Sequence, residues 1–201
     1  MKKIIGILCV FCVIAGTLSA CKSEPVSVHN EISPHVLSPE QQSIVDLISS
    51  TEQEIMLFNY ITEDIYKSVE FWVEVYEYGT LTNRPAGIST HADEAKPING
   101  QIAIIINHHS GISWTFTTNE NGTRSSHTSE PLNMDYYDVL ARGYDPIDLP
   151  VEILSGKEIV LYTSIYSEGD ISSFSDKQRY VDEPELIQDY PLVHIIKCKF
   201  E

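Results

Sequence analysis

The chain has 201 residues, with 29 acidic residues against 13 lysines and arginines and a formal charge of −16. That balance argues against a nucleic-acid partner, because phosphate contacts need clustered Lys and Arg. It argues equally against adhesion to an anionic membrane through a basic patch.

The chain starts with Lys2 and Lys3 as a short basic segment, followed by an almost wholly apolar run over 4–15. Leu18-Ser19-Ala20-Cys21 then forms a small-residue site ending in cysteine. This layout reads as an export signal, since the apolar run is too short to span a bilayer. The tetrad resembles the lipobox of bacterial lipoproteins. That resemblance implies cleavage between Ala20 and Cys21, a diacylglyceryl thioether on Cys21, and a lipid-anchored position on the extracytoplasmic face of the cell membrane. Loss of residues 1–20 leaves 11 basic and 29 acidic residues, a balance of −18. The acyl chains then supply the attachment, at about 0.8 kcal/mol per buried methylene. The acidity reads as a solvated surface. Cys9 and Cys12 leave with the signal and Cys21 carries lipid, so Cys198 has no partner for an intrachain disulfide. Its even spacing with Leu192, Ile196 and Phe200 marks it as a buried, inert thiol.

Residues 22–37 contain Pro25 and Pro34 and no apolar period, and read as a flexible tether. Sixteen extended residues reach about 50–55 Å. The remainder, 38–201, has the length of a single domain. Ser38-Pro39-Glu40-Gln41 is a helix start with a capping-box spacing. It predicts a helix over 39–51 that packs Ile44, Leu47 and Ile48 onto the domain. The chain then turns to β-structure. A strand is expected over 54–62. Another over 67–78 points Val69, Phe71, Val73 and Val75 one way and Glu70, Trp72, Glu74, Tyr76 and Tyr78 the other. Residues 80–99 read as a loop, with Pro85, Gly87, Pro97 and Gly100 as breakers. A strand over 101–107, apolar on both faces, turns at 108–111 into the alternating Ile112, Trp114 and Phe116. A turn at 119–122 leads to a strand over 123–130. A short helix is expected over 134–142, with Tyr136, Tyr137 and Leu140 inward. Strands over 151–154 and 158–166 are joined by a tight Ser155-Gly156 turn. Residues 167–190 read as a long surface excursion, and 192–200 as a final strand closing the sheet.

Seven or eight short strands and one N-terminal helix imply a mainly β fold, an immunoglobulin-like or related antiparallel β-sandwich. Lipobox, tether, helix and acidic strand set together resemble the small β-sandwich lipoproteins of Gram-positive bacteria. A sandwich does not imply a function.

The pair His108-His109 is the strongest metal signal, with His91, His127 or a carboxylate to complete a site. Neither HExxH nor paired CxxC spacing accompanies it. Asp135, Asp138, Asp145 and Asp148 do not follow a calcium-loop pattern. GxSxG, GxxxxGK[ST] and GxGxxG are absent, and serines, histidines and aspartates are too plentiful for any one triad to stand out. No catalytic residue, metal site or cofactor is assigned. The candidate ligand-binding face is Trp72, Tyr76 and Tyr78, an aromatic row among acids that suits a glycan or a protein partner. The competing expectation is that the N-terminal helix or the 167–190 excursion covers it. The chain is thus expected to be a membrane-anchored binding or structural module at the cell surface. An envelope hydrolase and a metal-binding accessory lipoprotein are the alternatives.

Overall fold

A computed structural model describes residues 30–134, 140–169, 171 and 178–201, with backbone alone at 92–95 and 181. The leader, Ala20, Cys21 and the tether as far as residue 29 lie outside the described residues.

The fold is mainly β, with one N-terminal helix and two antiparallel sheets. The first sheet runs β10 (Val151–Glu152), β1 (Glu31–Pro34), β2 (Gln53–Ile61), β6 (Asn99–Asn107), β7 (Ser113–Glu120) and β8 (Thr123–Thr128). The second runs β4 (Thr80–Asn83), β3 (Tyr66–Glu77), β12 (Leu192–Phe200), β11 (Ile159–Ser167) and β9 (Ala141–Pro146). β5 (Gly87–Lys96) also pairs with β3, along Tyr66–Trp72, while β4 takes Val75–Glu77. The inner faces of the two sheets share one buried cluster. Tyr60 of the first sheet meets Phe71 and Phe200 of the second at ring-centroid distances of 5.5 and 5.8 Å.

Alternation of side chains explains the strongest elements. Val69, Phe71, Val73 and Val75 of β3 all lie in the core, as the period of two requires. Ile112, Trp114 and Phe116 are buried on the same principle. The turn between β7 and β8 places Asn121 at φ 49° and Gly122 at φ 84°. Two successive positive φ values suit a hairpin, because such a turn matches the twist of the flanking strands.

Several expectations from the sequence are corrected. Residues 31–34, read as tether, form β1, which pairs with β2 and β10 and buries Ile32. The helix α1 spans Pro39–Ile48, and its capping box forms: Ser38 Oγ accepts from the Gln41 backbone N–H, and Gln41 Oε1 accepts from the Ser38 N–H. Its apolar residues do not pack; Ile44, Leu47 and Ile48 are 59, 82 and 74% exposed. The local cap explains the helix, while the outer face of the second sheet is occupied by another segment. That segment is part of the 167–190 stretch. It holds α2 (Arg179–Asp182) and a 3-10 turn (Pro184–Ile187), and it seats Tyr180 and Ile187 on Val160, Ile165, Val193 and Ile195. Strands β11 and β12 are therefore buried on both faces, and β12 is a central strand rather than a closing one.

The stretch 80–99, read as a loop, supplies β4 and β5. Both lie at a sheet edge, where polar strands are tolerated. β6 is an interior strand of the first sheet and apolar on both faces, but only one face is fully buried: Ile102, Ile104 and Ile106 are buried while Ala103 and Ile105 are half-buried. The expected hairpin over 151–166 does not form. β10 belongs to the first sheet and β11 to the second, and the Gly156 N–H bonds to the Phe200 carbonyl between them. Of the short helix expected over 134–142, residues 135–139, with Tyr136 and Tyr137, lie outside the described residues. Ala141 and Arg142 begin β9.

Candidate functional site

At one end of the two sheets, four polar side chains converge from sequence-distant strands. Glu54 comes from β2, His108 follows β6, Arg142 lies on β9 and Tyr162 on β11. The turn that carries His108 needs a glycine. Ile112 and Leu132 exchange backbone hydrogen bonds of 2.9 and 2.7 Å, and Gly111 lies between at φ 107°. A Cβ there would come 2.5 Å from the Leu132 carbonyl oxygen, and that φ is open only to glycine at low cost.

Glu54 is the hub. Its Oε1 accepts from His108 Nε2 at 2.8 Å and pairs with the Arg142 guanidinium; its Oε2 accepts from the Tyr162 hydroxyl at 2.8 Å. Arg142 Nη1 also lies 2.8 Å from His108 Nε2 and 3.2 Å from its Nδ1. Burial holds His108 below the usual histidine range, against an opposite pull from Glu52. Burial pushes the Tyr162 phenol up, with Arg142 opposing. Tyr144, also on β9, is exposed, stacks on Tyr162 at 6.4 Å and receives the Arg142 guanidinium over its ring at 5.3 Å.

Beside this hub opens a cavity of about 630 Å³. His108, Ser110, Asn133, Arg142 and Tyr166 give it polar lining, and Ile112, Met134 and Leu140 give it apolar lining. Behind Tyr166 lies the wholly buried His194, edge-on to Tyr166 at 5.3 Å and to Trp114 at 5.2 Å. Trp114 Nε1 and His194 Nε2 have no hydrogen-bond partner among the described residues. Burial, with Arg142 and His108 adding to it, pushes His194 down to about 3. The charge of the site therefore rests on one ion pair, Arg142 with Glu54, flanked by neutral imidazoles.

The histidine pair is divided. His108 serves Glu54, while His109 Nδ1 lies 2.8 Å from Glu52 Oε2. Among the described residues no group of three or more His, Cys, Asp or Glu is placed to hold a metal ion. Asp135 and Asp138 lie outside the described residues. Cys198 is fully buried, and burial pushes its thiol up.

The aromatic row divides too. Trp72 and Tyr76 are half-buried, and both turn inward to the buried Glu74. Trp72 Nε1 donates to it at 3.1 Å and the Tyr76 hydroxyl at 2.6 Å. Tyr76 also packs against the apolar cluster seated by α2 and the 3-10 turn. Tyr78 lies beyond β3 in a turn at φ 47°, exposed, its N–H bonded to the Tyr190 carbonyl. The three therefore do not form one open face; Trp72 alone lines a groove.

Sequence reasoning singled out His108 but not Glu54, Arg142 or Tyr162. Their only signal is three-dimensional, since Arg142 and His108 are 34 positions apart and Tyr162 and Glu54 are 108 apart.

Fold and site together define a two-sheet, mainly β protein with a cavity at one end of its sheets. The family model of the YgaN domain matches residues 31–200, and the chain belongs to that family. No curated protein and no solved structure matches it. The matched span begins at β1, the strand that the sequence reading had placed in the tether.

Proposed function

We propose that this YgaN-family protein is a lipid-anchored extracytoplasmic binding module, its two sheets forming an immunoglobulin-like or related β-sandwich. The observation that carries the binding reading is the 630 Å³ cavity with its Glu54–Arg142–His108 hub. Its size lies in the range of small-molecule sites, and a few converging polar groups on an apolar wall are the usual means of orienting a ligand. Because Glu54 offsets the Arg142 charge and both imidazoles are neutral, the cavity suits an uncharged polar ligand.

The anchoring half of the proposal rests on the Leu18–Cys21 tetrad and on the acidity that follows it. Among the described residues no helix is long and apolar enough to cross a membrane. Cell fractionation tests it: the wild-type chain is expected with membranes and labelled by a clickable fatty acid, and Cys21→Ser released and unlabelled. A Cys21→Ser chain that is still acylated refutes the anchor. A thermal-shift screen of neutral polar compounds tests the cavity. Hits are expected to raise the melting temperature of the wild type and not of Arg142→Met; hits unaffected by that change would move the site elsewhere.

A further inference from the structure

On the outer face of the second sheet, away from the cavity, Trp72 borders a groove of about 430 Å³. Its neighbours in the sheet explain why the indole is accessible there. On one side Trp72 pairs with Gly87 of β5, which brings no side chain beside the ring. On the other side stands Lys197, whose ammonium is drawn away to Glu74 at 2.6 Å and Glu158 at 3.0 Å. The indole is also fixed in orientation, because its N–H is committed to Glu74. Arg84 is held over the same carboxylate. Around the ring the groove is lined by Arg84, Lys199, Glu70 and Glu158, two charges of each sign, and by Ser89, whose hydroxyl lies 3.5 Å from Glu70 Oε1.

We infer that this groove is a saccharide subsite, binding a neutral oligosaccharide with a sugar ring stacked on Trp72. The chemistry suits that class. A pyranose presents an apolar C–H face that suits a rigid aromatic platform. Its hydroxyls both donate and accept, and the rim supplies carboxylates to accept and a guanidinium and ammonium to donate. The four lining charges cancel, and both cations are already paired, Arg84 with Glu74 and Lys199 with Glu201, so the groove offers no unpaired cation to an anion. The inference is independent of the lipid anchor and of the cavity between the sheets.

The test uses the full chain carrying Cys21→Ser, titrated with cellotetraose, chitotetraose and tetralysine. Trp114 is wholly buried and out of a ligand's reach, so a ligand-induced change in intrinsic fluorescence reports on Trp72, and Trp114→Phe removes the remaining background. A saturable change with a tetrasaccharide and none with tetralysine is expected. By calorimetry, Glu70→Gln should weaken that binding about tenfold, the scale of one lost charge-assisted hydrogen bond. Trp72→Ala should weaken it further, and Arg142→Met should leave it unchanged. Glu70→Gln removes no partner of the buried Glu74, so it tests the groove even if Trp72→Ala does not fold. No response to either saccharide, a response to tetralysine alone, or loss of saccharide binding in Arg142→Met with Glu70→Gln unaffected would each overturn the inference.

Discussion

Glu54 and Glu74 are built alike and placed differently. Each projects from a strand, accepts from a tyrosine hydroxyl and is gripped by an arginine. Glu74 is 1% exposed and has, besides the exposed Arg84, a buried cation, Lys197, and an indole N–H as further partners. Glu54 is 21% exposed, beside an open cavity, and its further partner is a neutral histidine. Burial alone would raise the Glu74 carboxyl, but hydrogen bonds from Lys197, Tyr76 and Trp72 together hold it below the usual carboxylate range. At Glu74 the carboxylate and the Lys197 ammonium are shut away from solvent, and only the outer partners, Arg84, Trp72 and Glu158, reach the groove. The Glu54 cluster can exchange one of its hydrogen bonds for a ligand's without exposing a buried ion. A buried ion pair is poor evidence of net stability, yet removal of one partner is costly, and the two clusters should differ most in that respect.

The largest expected effect follows from that contrast. Lys197→Met leaves Glu74 with only Arg84 to balance it in a buried setting, and should cost about 3–5 kcal/mol in urea unfolding. Adding Glu74→Leu should recover most of the loss, since a packed apolar pair replaces the ions. Arg142→Met removes the corresponding partner of Glu54, where solvent reaches both groups, and should cost only about 1 kcal/mol. Equal losses at the two sites would dissolve the distinction between a buried carboxylate and an open one.

The next effect is pH dependence. Burial pushes the folded pKa of His194 down to about 3, below the ordinary imidazole value of 6.5. The unfolded chain therefore binds a proton that the folded chain refuses. The stability is fully present above pH 6.5 and declines as pH falls towards 3, at a slope of up to about 1.4 kcal/mol per pH unit. The depressed Glu74 adds its own loss in a lower window, since its contribution is present above 4.5 and disappears as pH falls through its folded value. His194→Leu should make the curve shallower over the whole window from pH 6.5 to about 3, leaving the smaller slopes that the depressed His108 and Glu74 contribute. An unchanged slope in that window would mean that His194 is not the group refusing the proton.

How much of this was legible in the sequence depends on whether the signal was local. The alternation of β3, the capping box of α1 and the Asn121–Gly122 turn are each determined within a few residues, and all were readable. β4 and β5 were missed because an edge strand needs neither two-sided burial nor strict alternation. Residues 151–166 read as a hairpin because a glycine turn between apolar runs signals one; their division between two sheets depends on partners far along the chain. The hub at Glu54 was invisible for the same reason. Only the fold brings β2, β6, β9 and β11 to one end, and nothing around Arg142 marks it as a site residue. At Trp72 the alternation was right, but which part of its face stays open was set by the α2 region and by Gly87.

The smallest expected effect concerns α1, where a local rule was right and its tertiary consequence wrong. The spacing of Ile44, Leu47 and Ile48 is that of a packed helical face, and truncation of a packed leucine costs about 2–5 kcal/mol. In the fold Leu47 is 82% exposed, and no residue of α1 is buried. Leu47→Ser should therefore change the unfolding free energy by no more than about 0.5 kcal/mol. Ser38→Ala, which removes the side-chain acceptor for the Gln41 N–H, should lower helicity by circular dichroism with a similarly small change in global stability. A loss above about 2 kcal/mol for Leu47→Ser would show that α1 packs on the domain in solution. The competition between α1 and the α2 segment for the outer face of the second sheet would then have to be redrawn.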